Sequence, residues 1–148
     1  MYQRILVPLD GSTMSETVLP YAEKLARALN VEIVLLHVNV IPAPTFETYS
    51  SPLTPQPEEI KVMLADEKNY LKAMCAKLER EGLRVTYLLR DGAVAETILE
   101  AAEIEQADFI AMSTHGRTGM LRLLLGSVAE QVVHQSKIPV MLIRPTGE

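Results

Sequence analysis

The stretch "EIVLLHV", residues 32–38, decides the fold, because it is β-branched and apolar on both of its faces. A strand with one wet face alternates apolar and polar residues, so a run like this one belongs at the centre of a parallel sheet covered by helices on both sides. Before it, "RILVPL" at 4–9 is a second short apolar run, closed by Asp10-Gly11-Ser12, which reads as a buried strand followed by a turn. Between the two strands, Thr13 and Glu16 have capping-box spacing, and Val18, Ala22, Leu25 and Leu29 recur at intervals of 4, 3 and 4. That spacing predicts a helix to about Asn30 with one apolar stripe, kinked at Pro20.

After the central strand, "NVIPAPTFETYSSPLTPQP" at 39–57 carries five prolines and one charge in 19 residues. This is an irregular connection, a lid or surface loop and not a domain linker, since neither flank is long enough to fold alone. Pro57 opens a long helix to about Glu81, with Ile60, Leu64, Leu71, Met74 and Leu78 as its inward stripe and Gly82 as its stop. "RVTYLLR" at 84–90 predicts a third strand, with a turn at Asp91-Gly92. Residues 93–106 then predict a helix with Val94, Ile98, Ala101 and Ala102 inward, and "DFIAMS" at 108–113 a fourth strand. A helix from about Ser127 to Gln135, its start marked by Ser127 and Glu130 at capping-box spacing, leads to a fifth strand in "IPVMLIRP". Strands alternating with helices imply right-handed βαβ crossovers and a single α/β domain over 1–148.

Composition narrows the function classes. With 148 residues, 48% of them hydrophobic, the chain can bury one sizeable core. A formal charge of −5 gives no reason to expect nucleic acid as a partner. Cys75 is the only cysteine, which excludes an intrachain disulfide, a zinc cluster or a redox pair and suits the cytoplasm. Among Leu71, Met74 and Leu78 it reads as a small buried hydrophobe, and the seven methionines read as core residues. The N-terminal apolar patch is too short for a signal peptide, and no run reaches the ~20 apolar residues of a membrane span. His37, His115 and His134 have no metal-ligand spacing, and GxSxG does not occur, so no residue is assigned as catalytic.

The chemistry concentrates in "STHGRTGMLRLLLGSVAEQVVHQ", residues 113–135, which holds Gly116, Gly119 and Gly126. In open parallel sheets ligands collect beyond the carboxyl ends of the strands, where loop amides and helix N-termini converge. Gly116 follows the fourth strand, and Gly126-Ser127 opens a helix whose unpaired amides attract an anion. Neither GxxxxGK[ST] nor GxGxxG is present, so the glycines alone leave a phosphate cradle and a plain turn equally open. Asp10 reads either as a turn cap or as a site residue, and Arg117 and Arg122 either as solvated side chains or as phosphate partners.

Gly116, nine intervening residues, then Gly126-Ser127 resembles the signature of the universal stress protein family, in which glycine, two residues, glycine, nine residues, glycine and Ser or Thr hold a nucleotide. "MYQRILVPLDGS", "VLLHV" and "GSVAEQVVHQSKIPVMLIRP" resemble the family's first strand, second strand, and last helix and strand, so the likeness covers nearly the whole chain. The resemblance implies an open five-stranded parallel sheet of order 3-2-1-4-5 with helices on both faces, a Rossmann-like fold of the adenine nucleotide alpha hydrolase type. It also implies an adenine nucleotide, ATP or else AMP or ADP, with Mg²⁺ or Mn²⁺ held through the phosphates. Asp10 would be the only side chain near such an ion. By the same resemblance, Gly116, Gly126 and Ser127 hold phosphates, Asp10 flanks adenosine, and Val38 meets the base through its main chain. Pro8, Ser113, His115, Arg117 and Val128 complete the candidate site. Ser113 stands where the pattern has its first glycine, and its hydroxyl is a potential donor.

The implied function is a nucleotide-dependent stress-response switch acting on a regulatory partner protein. Strand five would be a sheet edge, and with both faces apolar it predicts a homodimer through residues 138–144. A slow ATPase using the same pocket, with Asp10 or His115 as base, and a dimeric interaction module that binds no nucleotide are the alternatives.

Overall fold

The computed structural model describes residues 1–40, 57–115 and 125–145. Five strands form one parallel sheet: β1 Arg4–Pro8, β2 Glu32–Asn39, β3 Val85–Asp91, β4 Phe109–Ser113 and β5 Val140–Ile143, in the expected order β3-β2-β1-β4-β5. Most of the Pro-rich connection, 41–56, lies outside the described residues.

Alternation along each strand divides the core in two. Ile5, Val7, Ile33, Leu35, Val85 and Ala111 point to one face, where α1 Leu19–Leu29 and α2 Pro57–Arg80 supply Ala22, Ala26, Leu71, Cys75 and Leu78. Leu6, Val34, Leu36, Ile110 and Met112 point to the other, against Ala95, Ile98, Ala101 and Ala102 of α3 Val94–Ile104 and Ala129 and Val132 of α4 Ser127–Gln135. Small alanines let the helices lie close to the sheet, and each fully buried Leu, Ile or Val contributes about 1.5–3 kcal/mol. On β5, Met141 and Ile143 pack on the first face and Val140 and Leu142 on the second, as the sequence predicts.

The helix starts differ from expectation. A short 3-10 helix, Ser15–Val18, precedes α1, and Thr13 and Glu16 form no capping box. Instead Ser12 Oγ accepts from Ser15 N at 3.1 Å and Ser15 Oγ donates to Ser12 O at 2.8 Å. The carboxylate of Glu16 is engaged elsewhere, by the hydroxyl of Tyr70. Pro20 falls in the first turn of α1, where a missing N–H costs nothing, and not in the interior of the helix. The predicted Ser127 and Glu130 box is also absent: Gly126 is the N-cap, without a side-chain cap, and Glu130 pairs with His134 at 3.9 Å. In α2 the inward stripe begins late. Ile60, Val62 and Met63 are exposed, and the helix is anchored by Leu71, Cys75 and Leu78. Met1 is likewise exposed with Met63, so the methionines are not all core residues.

At the amino edge of the sheet Asp108 ties β1 to β4: its Oδ2 accepts from Gln3 N at 2.6 Å and Arg4 N at 3.0 Å. These two bonds hold its carboxyl below the ordinary value of 3.8. A depressed carboxylate stabilises the fold fully above that ordinary value, and the contribution is lost as pH falls through the folded-state value. Asp108→Asn is therefore expected to melt below the wild type at neutral pH, with the gap closing under acid conditions. Circular dichroism melts across the acid range check this, and a gap independent of pH would contradict it.

Candidate functional site

The chain runs β1 to β2 to β3 towards one edge of the sheet, then returns through α3 to β4 and β5 on the other side of β1. The strand order therefore reverses between β1 and β4, and the loops beyond their carboxyl ends diverge to leave a crevice. Pro8 closes β1, Asp10 follows two residues later, Val38 is the penultimate residue of β2, and Ser113 closes β4. Gly126, Ser127 and Val128 form the start of α4 beside them, because Gly126 N donates to Thr114 O at 2.9 Å. The described candidates are thus brought to one edge. Gly116, Arg117, Gly119 and Arg122 lie outside the described residues.

Asp10 does part of its work locally. Its Oδ1 accepts from Ser12 N at 2.9 Å and from the Ser12 hydroxyl, and its N–H donates to Ser15 Oγ at 3.2 Å. This is the turn-capping role, and Gly11 at φ 88° supplies the left-handed residue the turn needs. Asp10 also faces an acidic, partly buried cluster. Tyr70 donates to Glu16 Oε2 at 2.8 Å, and burial, that bond and the charges of Glu16 and Asp10 push its phenol upward. Burial pushes the Cys75 thiol up to about 11, with Glu79 adding to it, so Cys75 is the inert small hydrophobe expected.

Ser113 is 5% exposed, and its Oγ accepts from His115 N at 3.4 Å, so the hydroxyl is turned into the start of the loop. Val38 is half-buried on the α3 face. Thr114, which sequence reasoning missed, is buried, and its Oγ1 has no hydrogen-bond partner among the described residues. A buried hydroxyl left unpaired costs about 1–3 kcal/mol, which makes a further partner at this point physically favourable. Its only sequence signal was its place in the two-residue spacer before Gly116.

Gly126 answers the question of why glycine stands at the helix start. Its φ of −63° is open to any residue, but an added Cβ would lie 2.8 Å from Thr114 O. Close packing of α4 on the end of β4 therefore requires the absence of a side chain, and a substitution here disturbs the fold as well as any ligand. The start of α4, which no side chain caps, and the Thr114 hydroxyl, without a partner among the described residues, together fit a phosphate group. Among the described residues no group of three or more His, Cys, Asp or Glu is placed to hold a metal.

Comparison with known proteins gives this arrangement its relatives. The solved structure of MJ0577 from Methanocaldococcus jannaschii superposes with a TM-score of 0.82 at 32% identity, covering 100% of this chain and 99% of that one. A universal stress protein in complex with cAMP matches at TM-score 0.70 and 20% identity, over 98% of each chain. A universal stress protein family protein from Arabidopsis thaliana with AMP bound matches at TM-score 0.67 and 20% identity, over 98% of this chain and 93% of that one. The model of the Universal stress protein family matches residues 1–144, from the first strand to the end of the fifth, and the chain belongs to that family.

Proposed function

We propose that this universal stress protein binds an adenine nucleotide at the carboxyl edge of its sheet and uses the bound state as a regulatory switch. The observation that carries the reading is the meeting of three strand ends with the uncapped N-terminus of α4 where the strand order reverses. Charge and geometry divide the ligand. The phosphates sit against His115, Gly126, Ser127 and Val128, together with Gly116 and Arg117 of the sequence motif; the Thr114 hydroxyl, without a partner among the described residues, and the start of α4, which no side chain caps, support this end. The adenosine lies between the Pro8 to Asp10 turn and Val38. The AMP and cAMP complexes of structurally similar proteins support an adenine nucleotide as the ligand class, and ATP is the form proposed. A divalent ion, Mg²⁺ or Mn²⁺, is held through the phosphates and shields their charge. The lone buried Cys75 suits a reducing compartment such as the cytoplasm.

The proposed assembly is a homodimer through β5. This strand ends the sheet, and all four of its residues stay half-exposed although they are apolar. Pairing of two copies would cover them. At micromolar concentration light scattering is expected to give twice the chain mass, and a monomer would contradict the dimer.

For the ligand, the protein is purified without added nucleotide, denatured, and the released small molecules are separated and read at the adenine band. Calorimetry then follows ATP, AMP and cAMP. An adenine nucleotide is expected either in the released fraction or bound in the titration. Asp10→Ala is expected to weaken binding about tenfold, or about 1.4 kcal/mol, while still melting cooperatively. No released nucleotide and no binding of any of the three would contradict the proposal.

A further inference from the structure

His37 is buried within the apolar run of β2, 5% exposed, on the face covered by α2. Both of its ring nitrogens have close partners. Nδ1 lies 2.9 Å from Leu9 O, and Nε2 lies 3.2 Å from Glu67 Oε1 on α2. The second carboxylate oxygen, Glu67 Oε2, is buried and has no partner among the described residues.

A proton count follows from these contacts. A carbonyl oxygen accepts only, and so does an ionised carboxylate, whereas a neutral imidazole has one N–H and one bare lone pair. With His37 neutral and Glu67 ionised, one of the two short contacts would set acceptor against acceptor in a buried place, where such repulsion is costly. Both contacts become hydrogen bonds only when the pair holds one proton more. That proton sits either on the ring, as an imidazolium facing a carboxylate, or on Glu67, which then donates to Nε2.

The contact with Leu9 gives the pair a place in the site. Leu9 C=O and Asp10 N–H belong to the same peptide unit, and Asp10 N in turn donates to Ser15 Oγ at 3.2 Å. The ring therefore fixes the plane of the peptide that leads into Asp10 and ties it to the middle of α2. The exposed Ile60, Val62 and Met63 of the first turns of α2 add little anchoring on their side. Other titratable groups on the surrounding elements include Tyr70 on α2, one turn from Glu67, Asp66, Lys68, Lys72 and Cys75 of the same helix, and Asp10 and Glu16 after β1; β3 contributes Tyr87 on the same core face, Arg90, apolar Leu89 opposite His37, and Asp91, which accepts from Asn39.

We propose that His37 and Glu67 form a positioning pair, joined by one shared proton, that holds the Leu9 to Asp10 peptide in the geometry the nucleotide meets and couples α2 to it. The inference rests on the nucleotide reading above. Loss of the shared proton sets the Nε2 lone pair against the carboxylate, and α2 and the Asp10 turn separate. Glu67→Gln keeps the clasp without the proton, because its amide N–H donates to a neutral ring. Glu67→Ala removes the clasp altogether.

Calorimetry of ATP binding to the intact protein, across about pH 5 to 9 where histidine ionisation falls, tests the pair. ATP's own ionisation is common to all forms. Wild-type affinity is expected to drop about tenfold from the acid to the alkaline end, Glu67→Gln to drop much less, and Glu67→Ala to bind weakly throughout. The same pH profile in wild type and Glu67→Gln would overturn the proposal. Without nucleotide, magnetic resonance is expected to show the His37 ring nitrogens, the Glu67 carboxyl carbon and the Asp10 amide moving in one joint step. A neutral His37 ring beside an already ionised Glu67 at neutral pH overturns the pair whatever the nucleotide does. A joint step in a protein that releases no adenine nucleotide and binds none of ATP, AMP and cAMP overturns the nucleotide reading, and with it the pair's role at the site.

Discussion

Burial of the central strands on both faces is the constraint on which the rest depends. β1, β2 and β4 carry Ile5, Leu6, Val7, Ile33, Leu35, Leu36 and Ile110 without measurable exposure, and they can do so only with helices on either side. Parallel strands joined by such helices must start from a middle strand and turn back, and the turning point leaves the carboxyl ends of β1 and β4 beside a crevice. The proposed site is in this sense a by-product of the core. Its residues are placed by strand ends that hydrophobic burial has already fixed.

Backbone groups supply much of what that edge offers. The N-terminus of α4 is presented by a backbone bond from Gly126 to Thr114, and the Asp10 turn is held by backbone and serine bonds. This explains how Gly126 serves two demands at once. Its missing side chain lets the helix start seat on β4, and the same seating brings the start of α4, which no side chain caps, to the carboxyl edge of the sheet. Ser113, where the family pattern has glycine, is buried, and its hydroxyl oxygen accepts from His115 N at 3.4 Å.

The elements legible in the sequence were those set by local pattern. β2 was visible as an apolar run and the five strands as alternations of runs and turns, because burial and backbone geometry act over a few residues; of the glycines after β4, Gly126 stands at the start of α4, while Gly116 and Gly119 lie outside the described residues. What escaped depends on distant partners. Glu16 was read as a capping residue, but Tyr70, 54 positions away, takes its carboxylate. Ile60 and Leu64 continue the helical stripe of α2, yet Ile60 is exposed and Leu64 only half-buried. His37 looked like an isolated strand histidine, since nothing near it in sequence announces Leu9 or Glu67. Thr114 could not be separated from its neighbours until its hydroxyl was seen to be buried and without a partner among the described residues.

The central claim is that the ligand meets this chain at the carboxyl edge, between the Asp10 turn, the end of β2 and the start of α4. Amide resonances of the isotope-labelled protein titrated with ATP test it most directly. The account predicts that Asp10, Val38, Ser113 to His115 and Gly126 to Ala129 shift together and saturate with one affinity, while Gln3, Arg4 and Asp108 at the opposite edge stay in place. Shifts centred on that opposite edge, or none at saturating ATP, would contradict it.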